Sequence, residues 1–140
     1  MMTAPGALRG FANTSFYADD LPAASAWYSQ VFGFDPYFVM DGYIEFRVGD
    51  FQHELGIIDA AFAPPGATGS PGGAIVYWHV DDVNAALERL LGLGGTLYQP
   101  IIERGQGFTT AAVVDPFGNI LGVMQNPHYL EILEGLKPAG

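Results

Sequence analysis

The chain has no cysteine and only five lysines and arginines. The first absence excludes a disulfide framework, a thiolate metal site and a cysteine nucleophile. The second weighs against nucleic acid, whose binding needs cations to displace counterions from phosphates, and against acidic membrane surfaces. Fifteen Asp and Glu leave a formal net charge of −10. That balance can serve solubility alone, and it also admits a cationic or neutral aromatic ligand. No apolar run reaches the roughly 18 residues that a spanning helix requires. Met1-Met2-Thr3-Ala4-Pro5 offers neither a basic start nor an apolar stretch, so no secretion signal and a cytoplasmic location are expected. There is no Gly-Lys-Ser phosphate loop, dinucleotide fingerprint or serine in a nucleophile elbow.

Hydrophobic residues make up 49% of the 140 positions and charged residues only 14%, which excludes disorder and suits one globular domain. Ten Phe, seven Tyr and two Trp exceed what a small core demands, leaving aromatic surface for a pocket.

The chain contains a near-copy of itself. At an offset of 62, Phe16-Tyr17-Ala18-Asp19-Asp20-Leu21-Pro22-Ala23-Ala24 falls on Trp78-His79-Val80-Asp81-Asp82-Val83-Asn84-Ala85-Ala86, and Gly33 falls on Gly95. Nine positions in register, with a glycine at the same distance beyond, argue for a duplicated supersecondary unit. Residues 13–18 and 74–80 read as strands, rich in β-branched and aromatic side chains. Asp20 and Asp82 stand where helix N-caps belong, and Pro22 falls where a missing N–H costs little. Apolar residues then keep helical spacing up to the expected stops at Gly33 and Gly95. Further strands are expected over 37–40, 43–48 and 51–58, and over 96–99, 108–114 and 120–124. Asp41-Gly42, Gly49-Asp50 and Asp115-Pro116-Phe117-Gly118-Asn119 read as turns. The expected architecture is α+β: two βαβββ repeats, at about 10–60 and 74–126, forming a cupped mixed sheet with helices on its outer face. Residues 61–73 read as a linker and 127–140 as a tail with a short helix near 129–136.

A doubled βαβββ unit with Asp20-Leu21 ahead of Ala26-Trp27-Tyr28 and Phe32-Gly33-Phe34, followed by Val80-Asp81-Asp82-Val83 and Asp115-Pro116-Phe117-Gly118-Asn119, resembles the vicinal oxygen chelate superfamily. That group contains glyoxalases, extradiol dioxygenases, fosfomycin-resistance enzymes and bleomycin-resistance proteins. The fold hosts many activities. In its metal-using members, the resemblance implies ligands at Asn13, Glu54, Ile75 and Gly122. Isoleucine and glycine side chains carry no lone pairs, and divalent transition metals usually need three or more donors. His53 neighbours Glu54 and should point to the other face, while His79 lies about 13 Å along its strand from Ile75. No metal and no other cofactor is therefore expected.

What remains is a cleft. Strand alternation puts Asn13, Ser15 and Tyr17 on one face and Ile75, Tyr77 and His79 on the equivalent face of the second unit. Glu54, Gln52 and Gly56 join from one strand, Gly122 and Met124 from another, and Phe108 stands where antibiotic-binding relatives hold an aromatic over their ligand. Each has a plain structural alternative: the tyrosines can cover the sheet, His79 can be an interior histidine, and the loop before Phe108 can be a simple hairpin. Glu54 is harder to dismiss, since a carboxylate among apolar groups must find a partner. Two functions follow. One is a metal-independent binding protein that sequesters an aromatic natural product or antibiotic. The other is a metal-independent lyase or isomerase with Glu54 or His79 as general base. The missing donors, aromatic content and acidity favour the first. The resemblance also implies a homodimer, and the charge balance leaves no nucleic-acid or membrane partner expected.

Overall fold

The computed structural model of the protein describes residues 6–138. It contains β1 (Asn13–Ala18), α1 (Leu21–Phe32), β2 (Phe38–Met40), β3 (Tyr43–Val48) and β4 (His53–Asp59), and then β5 (Val76–His79), α2 (Val83–Gly92), β6 (Thr96–Gly105), β7 (Phe108–Val114), β8 (Ile120–Gln125) and α3 (Pro127–Gly135). The strands form two four-stranded mixed sheets, ordered β1-β4-β3-β2 and β5-β8-β7-β6, with the parallel pairs β1–β4 and β5–β8. This is the α+β arrangement of two βαβββ units.

The helices begin where their caps dictate. Asp20 Oδ1 accepts from the Ala23 N–H and Asp82 Oδ1 from the Ala85 N–H, each at 3.1 Å, so each aspartate satisfies an orphan donor of the first turn. Gly33 closes α1 in the left-handed conformation, φ 87°. The second helix departs from the expected stop. It ends at Gly92, and Gly94 rather than Gly95 takes the positive φ. Gly95 instead lies against the helix, where a Cβ would stand 3.0 Å from the Leu90 carbonyl.

Other boundaries also moved. Strand β6 continues through Pro100 to Gly105, because it is an edge strand with register shifts at 97–99 and 99–102, where a missing N–H is tolerated. Phe51 and Gln52 form the turn before β4, with Gln52 at φ 54°, so Gln52 does not join a strand face. Ala74 and Ile75 precede β5, and α3 starts at Pro127, capped by Asn126.

The two sheets and their helices enclose one buried cluster, with Phe16, Tyr28, Phe46, Leu55 and Ile57 from the first unit and Val83, Leu90, Val113, Leu121 and Val123 from the second. The junction obeys the internal symmetry. Trp27 Nε1 donates to the Leu93 carbonyl at 2.8 Å, and Arg89, 62 positions on, donates to the Val31 carbonyl at 3.0 Å and to Gln30 at 2.6 Å. Each helix thus satisfies carbonyl groups at or just beyond the end of the other. A contact without a counterpart joins β1 to the second unit: the Asn119 side chain donates to the Tyr17 carbonyl and accepts from its N–H. Among the described residues no helix is long and apolar enough to cross a membrane.

Candidate functional site

Sheet register fixes which side chains share a face. Asn13 lies opposite Glu54, Ser15 opposite Gly56 and Tyr17 opposite Ile58, while Arg47, Glu45 and Tyr43 face the same three positions from β3. Glu54 therefore stands between Asn13 and Arg47 in the sheet, although the Arg47 guanidinium itself turns to Glu45 and Tyr37. Ser15 donates to Asn13 Oδ1 at 2.8 Å, and Tyr43 donates to Glu45 Oε1 at 2.9 Å. Arg47 lies 3.5 Å from Glu45 Oε2 and 3.8 Å over the Tyr37 ring. Burial first, and then the Glu45 carboxylate, pushes the Tyr43 hydroxyl above its ordinary range. This strip of Tyr37, Tyr43, Glu45 and Arg47 was not anticipated from the sequence. The alternation Tyr43-Ile44-Glu45-Phe46-Arg47 was the available signal, since it places the polar members on the face opposite the core.

The second sheet carries a different surface. Tyr77 lies opposite Gly122, which lies opposite Ala112, and Ala112 pairs with Gln99 on β6. Across this row of small residues the Tyr77 side chain extends until its hydroxyl donates to Gln99 Oε1 at 2.7 Å. A Cβ on Gly122 would fall 2.5 Å from the Tyr77 ring. The space at Gly122 is thus filled by tyrosine. Register also shows that Gly122 matches Gly56, which Tyr43 covers in the same manner.

A cavity of about 360 Å³ opens where the starts of β1 and β5 approach, and it brings together Asn13, Glu54, Ile75 and Tyr77 with Phe11 and Trp78. His79 and Met124, with Tyr77 again, line a second cavity nearer α2 and α3. Ser15, Tyr17, Gly122 and Phe108 line neither; Phe108 sits half-buried at the start of β7. His79 Nδ1 accepts from the Asn126 N–H at 3.1 Å, and its ring stacks on Tyr129 at 4.7 Å. In that state Nδ1 is occupied and Nε2 carries the proton, so the imidazole is not poised as a base.

The donor set does not fit the metal that the fold can hold. Ile75 and Gly122 offer no lone pair, and among the described residues no three His, Asp or Glu side chains converge as a metal site would require.

The likeness to solved structures supports the fold. A glyoxalase-related enzyme from Fulvimarina pelagi is 24% identical, with a TM-score of 0.69 over 86% of this chain and 90% of its own. A lactoylglutathione lyase from Agrobacterium tumefaciens is 24% identical, with a TM-score of 0.66 over 89% and 98%. A bleomycin resistance determinant encoded on the transposon Tn5 is 21% identical, with a TM-score of 0.61 over 84% and 98%. No curated protein sequence matches the chain. The Glyoxalase/Bleomycin resistance protein/Dioxygenase superfamily matches residues 10–123, most of both repeats and the turn and strand motifs described above, and the chain belongs to that superfamily.

Proposed function

We propose that the protein binds and sequesters a flat aromatic natural product, an antibiotic among the candidates, without transforming it. The observation that carries this reading is the cavity between β1 and β5, where Phe11, Ile75, Tyr77 and Trp78 supply apolar walls and Asn13 and Glu54 the polar groups. Ligand sites of this kind combine an apolar lining with a few placed polar groups. Asn13 accepts from Ser15 and, as an amide, can both donate to a ligand and accept from it, while Glu54 is an acceptor alone. A ligand with a cation or an N–H donor meets Glu54, and the overall charge of −10 favours the same sign of ligand. A homodimer and a cytoplasmic setting belong to this reading, the former supported by the apolar surface left at β2.

Glu54→Gln tests it. The change is expected to weaken a cationic or donor-bearing ligand several-fold, since a charge-assisted hydrogen bond contributes about 1.5–3 kcal/mol, while thermal stability stays the same. Calorimetric titration against flavins, quinones and planar antibiotics, with mass spectrometry of the recovered ligand, provides both readouts. Undiminished binding with loss of a detected product would make Glu54 a general base instead.

A further inference from the structure

Beyond the cleft, the structure holds the second cavity, of about 430 Å³, at the place where the internal symmetry fails. On one side of the junction the space between α1 and the 115–119 turn is filled. Tyr28 is wholly buried there and donates to Asp115, and Trp27 stands edge-on to Phe117. Sixty-two positions on, the equivalents are Leu90 and Arg89, and the matching turn is 49–52. Leucine is shorter than tyrosine, Gly49 has no side chain, and Arg89 reaches away to the α1 carbonyls. The volume left over is walled by Phe32, Val48, Trp78, Leu90, Leu121 and Val123.

Two N–H groups of residues on this wall have no acceptor. Trp78 Nε1 and His79 Nε2 are buried without a hydrogen-bond partner, whereas the other indole, Trp27, is satisfied by Leu93. The His79 side chain is nine-tenths buried, and Asp81 Oδ1 stands 3.4 Å from Nε2, out of line for a bond. The charged groups that reach the cavity are engaged elsewhere, Asp50 by the Tyr129 hydroxyl and Arg89 by α1. A buried donor without an acceptor is costly, and a molecule that brings one relieves that cost. Asp50 and the net negative charge oppose an anion.

We propose that this cavity is a second binding site, bordering the cleft of Asn13 and Glu54 along the shared residues His53, Tyr77 and Trp78, for a neutral aromatic molecule whose carbonyl-type oxygen accepts from the Trp78 indole N–H. The two tryptophans give two indole N–H signals in a heteronuclear spectrum, assigned with Trp78→Phe. Acetylnaphthalene is expected to move the Trp78 signal saturably and leave that of Trp27 in place. Ethylnaphthalene, with the same rings and no acceptor, is expected to bind about tenfold more weakly. Ala86→Leu, which shrinks this cavity alone, should weaken acetylnaphthalene about tenfold by occupying its space; Leu90→Phe serves if that variant does not fold. Ile75→Trp, which crowds only the cleft, should not. A stationary Trp78 signal or equal affinity for the two naphthalenes overturns the proposal. So does binding lost with Ile75→Trp but kept with Ala86→Leu, a result that would place the probe in the cleft and leave the functional reading intact.

Discussion

Asp115 accepts four hydrogen bonds while only 4% exposed: from the Tyr28 hydroxyl, from the N–H groups of Phe117 and Asn119, and from the Asn119 side chain. Burial first, and then the Asp115 charge, drives the Tyr28 hydroxyl well above its usual range. Tyr28→Phe is expected to lower stability by about 1.5–3 kcal/mol, read from urea denaturation, because a buried carboxylate loses one of its donors. The turn at Asp115 was legible from its Pro-Phe-Gly-Asn continuation, which is local chemistry. Its bond to Tyr28, 87 positions away, was not, because nothing local encodes it. Glu54 was legible from the family resemblance and from being a carboxylate among apolar neighbours, and it lines the cleft with Asn13 and Ile75. Glu45 binds Tyr43 and Arg47, yet the sequence does not single it out, since its flanking Ile44 and Phe46 look like ordinary alternation.

At the scale of elements, periodicity and caps located both long helices and seven of the eight strands to within a residue or two at each end. Only β6 departed further, because its outer position in the sheet made Pro100 harmless. The two-residue slip at the start of β4 comes from the turn that takes Phe51 and Gln52, the latter with a positive φ. Tyr129 fastens helix α3 to the rest of the molecule. Tyr129 stacks on His79, meets Phe51 edge-on and donates to Asp50 at 2.8 Å. Burial first, then the Asp50 bond and charge, pushes its hydroxyl up to about 12 from an ordinary 10.0. A pKa raised on folding contributes stability that is complete below the unfolded value and lost as pH climbs through the folded one. The Tyr129 contribution should therefore be intact below pH 10 and vanish toward pH 12. Tyr129→Phe is expected to flatten the fall in thermal stability over that window relative to the parent chain, with Tyr28 and Tyr43 titrating in both.

For the whole molecule, the repeat was the most informative thing in the sequence, because it tied the two units together before any pairing was known. What it could not convey was where the copies diverge in three dimensions, and the cavity beside Leu90 lies at such a place. The outer strand β2 leaves Phe38, Val39 and Met40 exposed beside Tyr37 and Phe34. Such an edge in a chain this apolar is a surface that proteins usually cover. Light scattering at micromolar concentration is expected to give twice the 15.0 kDa chain mass, and Val39→Lys should shift the result toward a single chain; a monomeric parent protein would refute the dimer.

The reciprocal bonds of Trp27 to Leu93 and of Arg89 to Val31 make each half the partner that the other requires. A lone βαβββ unit would leave these carbonyls at its helix end without the donor that the other half provides, so neither half is expected to be stable when expressed alone. The bonds that hold the halves together obey the repeat, while the filling between them does not: the first half carries a tyrosine that seals its side of the junction, the second a leucine that leaves a hollow.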